Sequence, residues 1–192
     1  AQPYLLAHAA LHGVICRGPD RSDDEPTYRL LEAPHETLSE EKALARLAQR
    51  YLTAYQPATA EDFAAWAGLP LTQARQGFAS IAAKEVLANG RPARVLDDPE
   101  LDDRTTVRLL GHFDTYLLGY RSRELAVPVE HDRRVQSGGG FVMPSVLVNG
   151  HAVGLWKHAW RRENKQDLLV VTLEPFETIA RRLLPAIRAE VD

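Results

Sequence analysis

The chain has 192 residues, 45% of them hydrophobic and 26% charged, the balance of an ordinary globular protein. That length suits one good-sized domain or two small ones, and no apolar run is long enough to cross a bilayer, which excludes a membrane span. A formal net charge of −3 excludes a uniformly basic coat, so a role on nucleic acid has to rest on local charge.

Charge is unevenly placed. Acidic residues gather at 20–25 and 97–103, whereas arginines come in pairs: Arg121/Arg123, Arg133/Arg134, Arg161/Arg162 and Arg181/Arg182. Cys16 is the only cysteine, so no intramolecular disulfide can form and a cytoplasmic setting is the default. The opening Pro3-Tyr4-Leu5-Leu6-Ala7 lacks the charged flank and length of a signal peptide, and with a start at Ala1 we expect protein upstream of it.

In chain order, residues 4–12 read as a helix, followed by strands at 13–17 and 27–31 around a polar loop. A helix and a hairpin make half of a winged helix, which marks residues 1–36 as the remnant of a preceding one. Thr37 with Glu40 fits a capping box, and Leu44, Leu47, Tyr51, Leu52 and Tyr55 recur at helical spacing until Pro57. Thr59 caps a second helix with Phe63, Trp66 and Ala67 on one side and Gly68 at its end. A third helix is predicted from Leu71 to about Ala83, its inward stripe being Ala74, Phe78 and Ile81. Val86-Leu87 and Arg94-Val95-Leu96 then flank an Asn89-Gly90 turn, the strongest short hairpin signal, and complete a winged helix-turn-helix domain over 37–104.

Residues 105–192 read as an antiparallel β domain. Val107, Leu109 and Leu110 suggest a strand running into a turn at 111–114, and Gly138-Gly139-Gly140 demands a mobile or tightly turning loop. Strands follow at 145–148, 153–160 and 168–173, joined by Asn149-Gly150 and by residues 163–166. A closing helix with Pro175 in its first turn carries the stripe Ile179, Leu183, Leu184 and Ile187, which Pro185 should kink. The fold class is α+β: a winged helix-turn-helix followed by a small antiparallel β-barrel or sheet with a C-terminal helix.

The third helix is the first functional candidate. Thr72, Gln73, Arg75 and Gln76 lie off its core stripe; Gln pairs with adenine, Arg with guanine or phosphate, and no acid interrupts them. The same residues serve equally well as a solvated face or a protein contact. Arg91 and Arg94 place cations on the hairpin, beside a phosphate or in a minor groove if the tip is not merely solvated. Arg161 and Arg162, near a strand end, offer another phosphate contact, or simply solubility at a tip. His8, His12 and Cys16 are spaced four apart, but Gly13 breaks the helix before Cys16, so packing or surface roles are expected and no metal. Asp114, with His112 and Glu124 the nearest thing to an acid–base set, follows Phe113 at a turn, where backbone capping is its expected use. No nucleophile, phosphate-loop or zinc motif occurs, and no cofactor is expected.

The segment Leu109-Leu110-Gly111-His112-Phe113-Asp114-Thr115-Tyr116-Leu117-Leu118-Gly119-Tyr120-Arg121-Ser122-Arg123 resembles the signature of the AlkZ-like winged-helix family, bacterial DNA-binding proteins that include glycosylases acting on alkylated or crosslinked bases. Arg50-Tyr51-Leu52, residues 57–69 and residues 146–156 are also similar to that family, so the resemblance covers most of the chain, as a C-terminal portion. It implies tandem winged helices and a small β-barrel lining a concave surface for double-stranded DNA, with Arg121 and Arg123 as phosphate contacts. The family's glycosylases carry a catalytic Gln-hydrophobic-Gln motif, and this sequence has no Gln-x-Gln. Either the motif lies upstream or this member binds without excising, so the resemblance transfers no catalytic position.

Overall fold

The computed structural model describes residues 2–21, 25–32, 38–88, 90–98, 104–163 and 166–191. The chain divides into two compact units, residues 1–39 and 40–192.

The first unit holds helix α1 (Gln2–Leu11) and strands β1 (Ile15–Arg17) and β2 (Tyr28–Leu30), which pair antiparallel with Cys16 opposite Arg29. Gly13 ends α1 at φ 68°, and the Val14 N–H reaches back to the Ala9 carbonyl at 2.9 Å. The expected helix and hairpin are both present. They leave Tyr4, Leu5, Leu11 and Leu30 exposed.

The second unit begins with three helices and a hairpin, in the expected order. Helix α2 (Glu40–Tyr55) buries Leu44, Ala48, Tyr51 and Leu52 on one stripe, with Leu47 and Tyr55 at its margins. The expected cap at Thr37 lies outside the described residues. Helix α3 (Ala60–Ala67) starts from a complete capping box: Thr59 Oγ1 accepts from the Asp62 N–H at 3.1 Å, and the Asp62 carboxylate accepts from the Thr59 N–H at 3.0 Å. It stops at Gly68, φ 66°.

Helix α4 (Leu71–Ala79) ends earlier than the expected Ala83. Ser80 closes it, its N–H bonding the Gln76 and Gly77 carbonyls and its hydroxyl bonding the Gln76 carbonyl at 2.9 Å. Ile81 therefore reaches the core from the loop rather than from the helix. A Cβ on Gly77 would come within 3.1 Å of the Leu44 carbonyl oxygen, so the absent side chain is what lets α4 cross α2 closely. Strands β3 (Lys84–Ala88) and β4 (Arg91–Val95) pair from Lys84↔Val95 to Ala88↔Arg91; Gly90 has φ 75° and Asn89 lies outside the described residues. Ala58 and Arg94 exchange both backbone hydrogen bonds (3.1 and 2.8 Å), which ties the hairpin to the start of α3.

Strands β5 (Val107–Leu110), β6 (Ser145–Val148), β7 (His151–Glu163) and β8 (Gln166–Pro175) form an antiparallel sheet in that order. Of barrel and sheet, the sheet is correct: β5 and β8 are its two edges and do not pair, so nothing closes among the described residues. The β6–β7 turn is Asn149 (φ 50°) and Gly150 (φ 79°), both left-handed as a two-residue hairpin requires. The last two strands are longer than expected. The β6–β7 pairing begins at Ser145↔Leu155, whereas β7–β8 pairing continues to Glu163↔Gln166, so 157–163 and 166–172 project as a two-stranded ribbon.

Two expectations about proline need correcting. Pro175 is the last residue of β8, not the start of a helix. Pro185 lies in the first turn of helix α7 (Leu184–Ala189), where a missing N–H costs nothing, so it starts that helix instead of kinking a longer one. Ile179, Leu183 and Ile187 still cover the sheet against Val107, Val146 and Trp156, while Leu184 turns outward.

Between β5 and β6 run the short helices α5 (Thr115–Leu118) and α6 (Asp132–Val135). The segment after α5 docks on α2: Tyr51 donates its hydroxyl to the Gly119 carbonyl, and Tyr120 donates to the Tyr55 carbonyl, both at 2.7 Å. A Cβ on Gly119 would collide with the Tyr55 ring. Gly119→Ala is accordingly expected to lower folding stability by about 1–3 kcal/mol through overpacking, read from the urea midpoint; an unchanged midpoint would mean that the two segments do not meet this closely.

Candidate nucleic-acid interface

A cleft of about 630 Å³ opens between the start of α3, the β3–β4 hairpin and the segment that follows α5. Asp62 organises it. One carboxylate oxygen receives the Thr59 N–H and hydroxyl (3.0 and 2.6 Å), and the other receives the Arg121 backbone N–H at 3.0 Å. The residue that completes the α3 cap therefore also fixes the backbone from which Arg121 projects. Tyr120, beside it, is pushed up to about 12 by burial, then by its neighbours Tyr116 and Asp62. Burial, with the Asp62 charge adding to it, raises Tyr51 further still. Both phenols thus remain protonated donors that lock the junction.

The candidate arginines divide by what already holds them. Arg121 lines the cleft, is exposed, and has no ion-pair partner among the described residues. Arg91 faces Glu124 across 3.8 Å at the same cleft. Arg94 is half-buried and donates to the Phe78 carbonyl at 3.2 Å, tying β4 to the last turn of α4. Arg123 donates to Gln136 Oε1 at 2.9 Å, and its buried Nε has no hydrogen-bond partner among the described residues. Arg161 and Arg162 stand exposed on the ribbon, with Arg162 4.0 Å from Asp167.

Helix α4 looks different from its sequence. Thr72 and Gln76 are exposed, but Gln73 donates to Glu40 of α2 at 3.0 Å and Arg75 to Glu61 of α3 at 2.8 Å. No acid lies within the helix; neighbouring helices supply them. The Arg75 hydrogen bond, foremost, holds the Glu61 carboxyl below the usual carboxylate range. A depressed carboxylate stabilises the fold above its unfolded pKa and loses that contribution as pH falls through its folded value. For a pair this exposed we expect Arg75→Ala to cost under about 1 kcal/mol near pH 7 and nothing near pH 2, by thermal unfolding at both; a difference that persists in acid would show that Arg75 acts through packing.

Arg133 and Asp62 escaped the sequence reading as site residues. Arg133 lines a second cavity of about 410 Å³ together with Arg121 and Arg123, and the pairing of Arg133 with Arg134 was the available signal. For Asp62 it was the Thr-x-x-Asp spacing.

The remaining candidates do not converge. Asp114 caps α5 by accepting the Tyr116 N–H at 2.9 Å, His112 Nδ1 lies 3.3 Å from the Val142 carbonyl, and Glu124 faces Arg91. The His8 and His12 rings touch at 4.4 Å, while Cys16 accepts from Arg29 Nε at 3.3 Å. Among the described residues no three His, Cys, Asp or Glu side chains are grouped to hold a metal ion. No described helix is long and apolar enough to cross a membrane.

A family model described as DNA glycosylase AlkZ-like matches residues 1–192. The interstrand DNA cross-link repair glycosylase of Streptomyces sahachiroi is 33% identical over 202 residues, an alignment covering 97% of this chain and 52% of that protein. The solved structure of the Streptomyces sahachiroi DNA glycosylase AlkZ matches with a TM-score of 0.73 at 30% identity, over 99% of this chain and 53% of that one. The chain thus spans about half the length of the relatives it matches.

Proposed function

The chain belongs to the AlkZ-like DNA glycosylase family, and from that membership we propose that it supplies a double-stranded DNA-binding surface of a DNA-repair protein, centred on the cleft around Arg121. In this reading α2, α3, α4 and the β3–β4 hairpin work as a winged helix, and the segment 119–125 beside them meets the phosphate backbone. The observation that carries it is Arg121 itself: a guanidinium with no ion-pair partner among the described residues, lining both the 630 Å³ cleft and the 410 Å³ cavity. Arg91 lines the first of these and Arg133 the second, Arg123, held by Gln136, helps to shape the second, and Arg161 and Arg162 are further exposed cations on the ribbon.

Helix α4 then plays a lesser part than a recognition helix, because Gln73 and Arg75 are already engaged by Glu40 and Glu61. Titration of a labelled duplex at low and moderate salt tests the reading: binding should be tight at low salt and fall steeply as salt rises. A folded protein that binds nothing at low salt overturns it.

The family description favours a second reading, in which the protein excises alkylated or crosslinked bases. This sequence holds no Gln-x-Gln, so that chemistry needs residues outside it. Release of free alkylated base by a polypeptide that includes the Gln-hydrophobic-Gln motif is the expected result; failure across several alkylated substrates would remove this reading and leave the binding surface standing.

A further inference from the structure

Two phenylalanines in the loops between β5 and β6 stand outside all three core clusters. Phe113 is 45% exposed and Phe141 is 54% exposed, their ring centroids lie 5.4 Å apart, and the His112 ring lies 6.3 Å from that of Phe113. Neither ring is held by burial; both are held by backbone. Phe113 adopts φ 55°, a conformation costly to any residue with a Cβ, and donates its N–H to the Val142 carbonyl at 3.2 Å. Phe141 follows Gly138, Gly139 and Gly140 (φ 93°, 58° and 82°), a turn closed by its own N–H on the Gly138 carbonyl at 3.1 Å. Strained backbone on one side and a three-glycine turn on the other thus converge to display two large apolar rings at the surface.

The setting of the rings limits what meets them. Val142, next to Phe141, bridges to Gln136, the residue that receives the Arg123 guanidinium. Arg123 in turn lines one cavity with the exposed Arg121 and Arg133, alongside Glu124 and Asp132. Asp114, next to Phe113, has its carboxylate turned to the Tyr116 N–H of α5. A flat apolar face linked through Val142 and Gln136 to the arginines of that cavity suits a partner that is itself aromatic and borne on an anionic chain. A base inside intact duplex hides its faces in the stack, so the complement is an unpaired one.

We infer that Phe113 and Phe141 form a stacking platform for an unpaired nucleobase in the bound DNA. This rests on the DNA-binding reading above and adds to it a preference for DNA with a base out of its stack. Stacking of one base on an aromatic side chain is worth roughly tenfold in affinity or more.

The test uses two labelled duplexes of equal length, one fully paired and one carrying an unpaired 2-aminopurine, with the wild-type chain, Phe141→Ala and Phe141→Trp. Wild type should prefer the unpaired site by about tenfold and quench its fluorescence. Phe141→Ala should lose the preference and the quenching while binding paired duplex as before, and Phe141→Trp should restore both. Binding of both duplexes with equal affinity and no quenching overturns the platform and spares the DNA-binding reading. An equal loss on both duplexes in Phe141→Ala, or a change in its oligomeric state by light scattering, also overturns it, because the rings would then serve general contact or self-association. If wild type binds neither duplex, the DNA-binding reading fails and the platform falls with it.

Discussion

Replacing Tyr51 with alanine is expected to lower folding stability by about 3–5 kcal/mol, the cost of deleting a large buried aromatic. The side chain is 1% exposed, and its ring lies within about 5–6.5 Å, centroid to centroid, of Tyr55, Phe63, Trp66 and Phe78. Its hydroxyl also closes the contact with the Gly119 carbonyl. The variant loses both the aromatic cluster of the helices and the anchor of the segment that carries Arg121. Tyr51→Phe separates the two effects: it keeps the ring, leaves the carbonyl without its donor, and is expected to cost about 1–3 kcal/mol. Urea unfolding followed by Trp fluorescence and by circular dichroism reads both. A loss under about 1 kcal/mol in Tyr51→Ala would show that the helices and the sheet domain are not joined through this residue.

Combining Arg121→Ala, Arg133→Ala and Arg161→Ala is expected to weaken duplex binding by about ten- to a hundredfold near 0.1 M salt, from the loss of charge-assisted contacts. It should also flatten the dependence of log K on log salt by about 2–3, since each neutralised phosphate contributes a slope near −0.9. These three cations were chosen because none has an ion-pair partner among the described residues and all are exposed. Arg75→Ala is the matched control: its guanidinium is already paired with Glu61, so affinity and slope should stay near wild type. If the control weakens binding as much as the triple variant does, DNA lies on α4 and the cleft is a bystander.

Short-range signals were legible in the sequence. The Thr59 cap, the Gly68 ending, the Asn149-Gly150 turn and the helical stripe through Tyr51 all depend on residues within a turn or two of each other, and each is found where its local chemistry requires. Longer-range facts were not. The early end of α4 comes from Ser80 bonding back to Gln76, and the displaced C-terminal helix from Pro185 being read as an interruption when it marks a start. At the site, the arginines were visible as residue types but their partners were not. That Arg75 meets Glu61, Arg94 meets the Phe78 carbonyl and the Arg121 guanidinium has no ion-pair partner among the described residues is decided by helix crossing and hairpin docking, which no spacing along the chain encodes. Asp62 shows the same limit: its capping role is local and readable, whereas its hold on the Arg121 backbone joins residues that only the fold brings together.

Hydrogen–deuterium exchange of the chain, alone and with a short duplex at low salt, tests most directly whether the Arg121 cleft is the DNA-facing surface. The account predicts slowed exchange at residues 119–125 and around Arg91, with the exposed face of α4 unchanged. Protection confined to residues 71–79, or none anywhere at saturating duplex, would contradict it.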